Sequence, residues 1–220
     1  MSLVVVKVGG AVTADAAHWV NSLVAQSHKV VVVHGAGPQI SGELERRGIP
    51  VEFVEGRRVT SAAVLEVVRE SFAAVNAEIS AAIGPRALPL PDGVLAAIRI
   101  PELRHVGRPI PAAPKPILDA LTAGGIPVVA PLAYGPMNVN ADEAAAALAV
   151  GLGAERLLFL TDVPGVFLEG EVATAIVADE AERLVHAGEL AGGIVPKLLA
   201  AARAARDGVE VEIGRTAVVA

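Results

Sequence analysis

Val4-Val5-Val6-Lys7-Val8-Gly9-Gly10 decides how the rest of the chain is read. Consecutive valines without polar alternation are what a parallel strand buried on both faces requires. Lys7 interrupts that run, and an ammonium at the end of an apolar strand is costly to bury unless an anion meets it. Gly9 and Gly10 follow at once, removing side chains where the chain must turn and where a ligand could approach the backbone. A snorkelling lysine beside an ordinary turn would leave the same trace. Other motifs have to separate the two.

The pattern recurs downstream. Lys29–His34 reads as a second buried strand that runs into Gly35-Ala36-Gly37-Pro38 and a helix reaching Gly48. Pro38 suits the first turn of that helix and Gly48 its stop. Such a turn offers free N–H groups at a positive dipole end, as either an anion site or a plain connection. A dinucleotide loop would need a third glycine where Ile40 stands, and the P-loop pattern is absent from the chain. Residues 13–27 read as a helix with Thr13 or Asp15 as cap, and 61–83 as another. Ahead of the latter, Arg57 and Arg58 are adjacent guanidiniums. Either one or both are solvated, or one takes a carboxylate. Asn76 reads as a satisfied buried amide.

The proline-rich stretch 84–116 predicts a small hairpin or lid rather than core strands. A helix at 115–123, a strand at 126–130, an alanine-rich helix through 152 and a strand at 156–160 follow. Asn140 or Asp142 caps the alanine-rich helix, or Asn138 and Asp142 face a cleft. The turn after residue 160, Thr161-Asp162-Val163-Pro164-Gly165-Val166, lies where an open α/β sheet usually receives a ligand. Helices at 179–187 and 196–207 flank Lys197, a second lone lysine beside glycines, and strands at 209–213 and 216–219 close the chain. Alternating strands and helices predict an α/β fold with a mostly parallel sheet, in one domain of 220 residues.

Composition narrows the function. A net charge of −6 without a basic stripe argues against a nucleic-acid surface, so an anionic ligand must be held by a few local cations. With no cysteine there are no disulfides, thiolate metal sites or Cys nucleophile. His18, His28, His34, His105 and His186 lack metal-ligand spacing and read as structural or exposed. No apolar run is long enough to span a bilayer and the start lacks signal-peptide regions, so a cytoplasmic protein without membrane contact is expected.

Taken in order, Lys7-Val8-Gly9-Gly10, His34-Gly35-Ala36-Gly37-Pro38, Gly56-Arg57-Arg58-Val59-Thr60, Asn138-Val139-Asn140-Ala141-Asp142, the 161–166 turn and Gly192-Gly193-Ile194-Val195-Pro196-Lys197 resemble the amino acid kinase family. The resemblance is closest to its acetylglutamate kinase branch and runs over nearly the whole chain. It implies a three-layer αβα sandwich, with an amino-acid lobe over about 1–137 and an ATP lobe over about 138–220. It also implies ATP-dependent phosphorylation of the N-acetyl-L-glutamate side-chain carboxylate, with Mg²⁺ arriving on ATP, and a homodimer. By resemblance, Lys7 and Lys197 stabilise the transferring phosphoryl and Asp142 holds them. Gly9 and Gly10 cradle the phosphoryl together with Ala36 and Gly37, which border the substrate. Arg58 and Asn138 bind the amino acid, and Thr161, Asp162, Val163, Gly165, Val166 and Phe167 receive the nucleotide.

Some features depart from the family. Ala36 stands where glycine is usual, the 84–110 segment is short, and a helical stretch between the last two strands is missing. The absence of an N-terminal helix argues against feedback inhibition by arginine. The neighbouring readings are a kinase of carbamate or of an aminoadipate derivative, a non-catalytic sensor of the same fold, and a nicotinamide oxidoreductase.

Overall fold

The computed structural model describes residues 2–9 and 13–220, with side chains for all of these except 13–15. Among the described residues seven α-helices pack on a central sheet: α1 (Thr13–Ala25), α2 (Gly37–Arg46), α3 (Ala62–Ile83), α4 (Lys115–Thr122), α5 (Ala141–Gly151), α6 (Ala178–His186) and α7 (Ile194–Arg206). The sheet has eight strands, in the spatial order Ala175–Val177, Thr216–Val219, Glu210–Ile213, Arg156–Leu160, Leu3–Val8, Lys29–His34, Ile126–Val129 and Ala87–Leu90. Every pairing is parallel except the hairpin joining Glu210–Ile213 to Thr216–Val219.

Period-2 alternation sends successive valines to opposite layers. Val4, Val6, Val8, Val30 and Val32 meet α1, α2 and α3, whereas Val5, Val31, Val33, Leu157 and Phe159 meet the layer of α4 to α7. This yields the expected αβα sandwich around the central strands. Toward Ala175–Val177 one outer layer thins. There the face away from α5, α6 and α7 carries Glu210, Val177 and Val219, all exposed, and an Arg156–Glu212 ion pair at 2.7 Å. The chain passes from Ile213 to Thr216 through two residues, leaving no segment to cover that face.

The 84–116 stretch requires a correction. It does contain a hairpin, Ala97–Arg99 with Val106–Pro109, in a four-stranded side sheet. But Ala87–Leu90 joins the central sheet, parallel to Ile126–Val129. Pro89 is tolerated because this strand is the sheet's edge, where a missing N–H faces no partner. Two further hairpins, Phe53–Val54 with Arg57–Arg58 and Phe167–Leu168 with Glu171–Val172, turn through Glu55-Gly56 and Glu169-Gly170. All four turn residues have positive φ, between 47° and 86°. This is the two-residue turn whose twist matches that of the strands it joins.

Candidate active site

Lys7 lies two residues beyond Val5 and so points to the same layer, that of α5 and α7. Those two helices begin at the carboxyl edge of the sheet, where they present Asp142 and Lys197. Lys7 Nζ lies 2.9 Å and Lys197 Nζ 3.2 Å from the same oxygen, Asp142 Oδ1. All three residues are buried. Burial raises the Asp142 carboxyl, but Lys7 and Lys197 outweigh it and hold the group below the ordinary carboxylate range. Burial, then repulsion from Lys7, lowers Lys197 against the pull of Asp142. Lys197 Nζ also stands 5.5 Å from the centre of the Phe159 ring.

The alternatives for Asn140 and Asp142 are resolved. Asn140 Oδ1 accepts from the N–H groups of Asp142 and Glu143 and so caps α5. Asp142 is left to face the lysines.

The trio closes one end of a cleft of about 320 Å³. The helix starts of α2, α5 and α7 all border it, through Gly37, Ala141 and Pro196, so three positive dipole ends converge with the two lysines. Ala36 fits without strain: its φ is −144° and its methyl is buried among the apolar residues beneath α2.

At the other end Arg58 NH2 donates to Ser41 Oγ at 2.9 Å and more weakly to the Gly37 carbonyl at 3.4 Å. Its guanidinium carbon lies 4.6 Å from the centre of the Phe53 ring. Arg58 NH1 is buried and has no partner, and burial lowers the pKa of the group. Asn138 Nδ2 donates to Thr60 Oγ1 at 3.1 Å, and that hydroxyl donates to the Arg58 carbonyl at 2.8 Å. A row of side chains thus runs from Asn138 to the residue that carries the open guanidinium nitrogen. Such an end can take a carboxylate.

Not every candidate residue is at the cleft. Gly10 falls outside the described residues. The Gly9 N–H donates to the Leu160 carbonyl at 3.3 Å, so the strand ladder takes the donor expected to cradle a phosphoryl. Gly165 and Val166 are buried and turned inward. Val166 N–H donates to Thr216 Oγ1 at 2.9 Å, and a methyl on Gly165 would stand 2.5 Å from that same oxygen. Thr161 and Val163 border a separate hollow with Trp19 and Arg215. Asp162 accepts from the Thr161 hydroxyl at 3.2 Å, and Phe167 is exposed.

Sequence reasoning missed Phe53, the link through Thr60, and the partner of Arg57. Arg57 NH2 meets Glu143 Oε1 at 2.5 Å, so neither arginine of the pair is simply solvated. His34 is fully buried, with Nε2 3.0 Å from Asn76 Nδ2, which also donates to the Val128 carbonyl at 2.8 Å. Among the described residues no group of three or more His, Asp or Glu side chains could hold a metal ion, and no helix is long and apolar enough to cross a membrane.

Known proteins share this architecture and sequence. The acetylglutamate kinase of Rubrobacter xylanophilus is 46% identical to the chain, over 97% of it and 88% of the relative. That of Geobacillus stearothermophilus is 36% identical, over 93% and 86%. The crystal structure of smu.665 from Streptococcus mutans superposes with a TM-score of 0.91 at 26% identity, covering 99% of this chain and 98% of that one. Carbamate kinase from Giardia lamblia bound to AMP-PNP shares the fold, with a TM-score of 0.72 at 15% identity over 99% and 98%. Residues 2–215 match the amino acid kinase family, and the chain belongs to that family.

Proposed function

We propose that this chain transfers the γ-phosphoryl group of ATP to the side-chain carboxylate of N-acetyl-L-glutamate, giving N-acetyl-L-glutamyl 5-phosphate and ADP, a step of arginine biosynthesis. The bond between a carboxylate oxygen and γ-phosphorus forms as the bond from γ-phosphorus to the bridging β-phosphate oxygen breaks. The observation that carries this reading is one cleft with two ammonium groups on a shared carboxylate at one end and a guanidinium nitrogen without a partner at the other. Phosphoryl transfer needs position and positive charge more than covalent help.

In this reading Lys7 and Lys197 stabilise the charge on the phosphoryl oxygens, and Asp142 keeps the two ammonium groups from separating. The first N–H groups of α2, from Gly37 onward, have no acceptor within the helix and face the same charge. Arg58 takes the α-carboxylate and Asn138 another polar group of the amino acid. Mg²⁺ would be carried by phosphate oxygens and water. The first 137 residues would form the amino-acid lobe and the remainder the nucleotide lobe, with Thr161 and Val163 the members of their turn best placed to meet the nucleotide. Dimerisation through the amino-acid lobe belongs to the same reading.

The test is ATP- and Mg²⁺-dependent ADP release with N-acetylglutamate, glutamate, aspartate, carbamate and N-acetyl-aminoadipate, with hydroxylamine present to trap acyl phosphate. Hydroxamate formed with N-acetylglutamate alone is the expected result. Hydroxamate with another acid only would overturn the substrate and leave the chemistry standing.

A further inference from the structure

The hairpin that carries Arg58 is poorly held by its own packing. Val51, Phe53 and Val54 are all 42–54% exposed, so apolar burial does little to fix its position. Beyond the bonds of Arg58 itself to Ser41 and Gly37 on α2, the hairpin's ties to the rest of the cleft among the described residues are few. Gly56 lies against the Pro196 ring, and Asn140 Nδ2 reaches the Gly56 carbonyl only at 3.5 Å. The strong tie is Arg57 to Glu143, at 2.5 Å, between residues 86 apart in the chain. The side chains of this pair are 15% and 12% exposed, so the ion pair is largely withdrawn from water and weakly screened. A second carboxylate, Glu55, is 3.7 Å from Arg57 NH1 but exposed.

Glu143 is well placed for this. It follows Asp142 in the first turn of α5, whose N-terminus favours negative charge and whose cap fixes its position. Asp142 therefore faces the lysines while Glu143 faces the hairpin, and one helix end serves both ends of the cleft. Arg57 Nε and Glu143 Oε2 are also buried and without partners. These two atoms complement one another, so the pair is one hydrogen bond short of the two-pronged guanidinium–carboxylate fork.

We propose that Arg57 and Glu143 form a latch that holds the 53–58 hairpin over the cleft and so aims Arg58 at the substrate carboxylate. Arg57 and Glu143 are positioning residues in this scheme. Glu143 also neutralises Arg57, so that a single guanidinium reads the substrate. The latch rests on the carboxylate-binding role of Arg58 given above.

Glu143→Gln, Arg57→Gln and the double variant test it, each followed by steady-state kinetics and by amide hydrogen exchange of residues 53–58 in the ligand-free protein. Glu143→Gln strands a buried guanidinium, so KM for the amino acid should rise about tenfold with kcat within about twofold, and hairpin amides should exchange faster. The double variant, with neither charge left, should recover part of both changes. Wild-type KM and exchange in Glu143→Gln, or effects of the single variants that simply multiply in the double, would overturn the latch. Should Glu143→Gln fail to fold, Arg57→Lys keeps the charge but cannot form the fork, and it should show the same direction of change. Wild-type protein inactive on N-acetylglutamate would instead overturn the substrate reading, while exchange still decides the latch.

Discussion

At one end of the cleft Lys7 and Lys197 share an internal counterion, Asp142. At the other end Arg58 has a hydroxyl, a carbonyl and an aromatic face, but among the described residues no carboxylate pairs with it. The first end is electrostatically closed before any ligand arrives, and its cations are fixed where charge would develop during transfer. The second end carries a buried donor, Arg58 NH1, with no partner among the described residues. In the proposed function, the fixed charges of the first end would serve rate and the unpaired donor of the second would serve recognition. Counting Lys7, Lys197 and Arg58 against Asp142 and cancelling Arg57 with Glu143, the cleft is cationic in a chain of net charge −6. A few local charges, not a general field, set its preference.

The most severe way to break this contrast is Asp142→Asn. It leaves two buried ammonium groups facing a neutral amide, and the cost should be about 3–5 kcal/mol of stability, together with loss of turnover. Urea unfolding at pH 7 measures the first. The Asp142 carboxyl is held below the ordinary value of 3.8, chiefly by Lys7 and Lys197 against its own burial. Its contribution is therefore complete above that value and is lost as pH falls through the lower folded value. The variant should lack this part of acid unfolding. Equal acid sensitivity in both proteins would show that Asp142 is not the counterion.

Lys197→Ala should act on rate, lowering kcat about 10²–10³-fold while KM changes little, because its contact strengthens only in the transition state. Burial, and then Lys7, lower the pKa of Lys197, so as pH rises wild-type turnover should begin to fall before the ordinary lysine value of 10.5 is reached. An unchanged kcat in the variant would remove Lys197 from the chemistry.

At both ends the residues were named through the family resemblance, since by position alone Asp142 could equally have capped α5. Lys7 and Lys197 also stood out by themselves, as lone charges beside glycines and apolar runs, where burial is costly without a partner. The α/β alternation was legible for a similar reason, since runs of valine leave few other structures. Contacts spanning the chain were not legible. Nothing local pairs Arg57 with Glu143, which depends on how the hairpin docks against α5, and Phe53 lies over Arg58 only because the two are cross-strand partners in a hairpin whose strands are two residues long. The Glu-Gly turns that form such hairpins carry a weaker signal than Asn-Gly or Asp-Gly. Ala87–Leu90 was missed because proline speaks against a core strand, and only the sheet order shows that this strand is an edge. The Gly9 bond was not legible because a free N–H in a turn cannot be told from one donated to a neighbouring strand until Leu160 is placed beside it.

Arg58→Ala probes the open end. It removes the guanidinium with the unsatisfied nitrogen, so KM for the amino acid should rise by the worth of a charge-assisted hydrogen bond, about 1.5–3 kcal/mol or roughly ten- to 150-fold. The KM for ATP and kcat should move far less. Arg58→Lys should not restore affinity, since an ammonium can neither stack on Phe53 nor reach the carboxylate with two prongs. A full rescue by lysine would mean that charge alone is read at this end.

His34 sits under the turn that both ends share, and it sharpens the contrast because it must remain uncharged. Burial lowers its pKa from 6.5 to about 4, and Lys7 adds to the lowering. Protonation would place a further cation beneath a cleft whose one lining carboxylate among the described residues, Asp142, is already shared by two lysines. The unfolded chain takes up a proton near pH 6.5 and the folded protein only near 4, so the stability associated with neutral His34 is complete above 6.5 and declines as pH falls toward 4. Between pH 7 and 5 the loss should be about 2 kcal/mol, approaching 1.36 kcal/mol per pH unit below 6.5. His34→Gln keeps an amide in reach of Asn76 and cannot titrate, so its urea midpoint should fall less than that of wild type between pH 7 and 5. Parallel declines would show that the imidazole takes up its proton equally in both states, and that the ground between the two ends tolerates a charge after all.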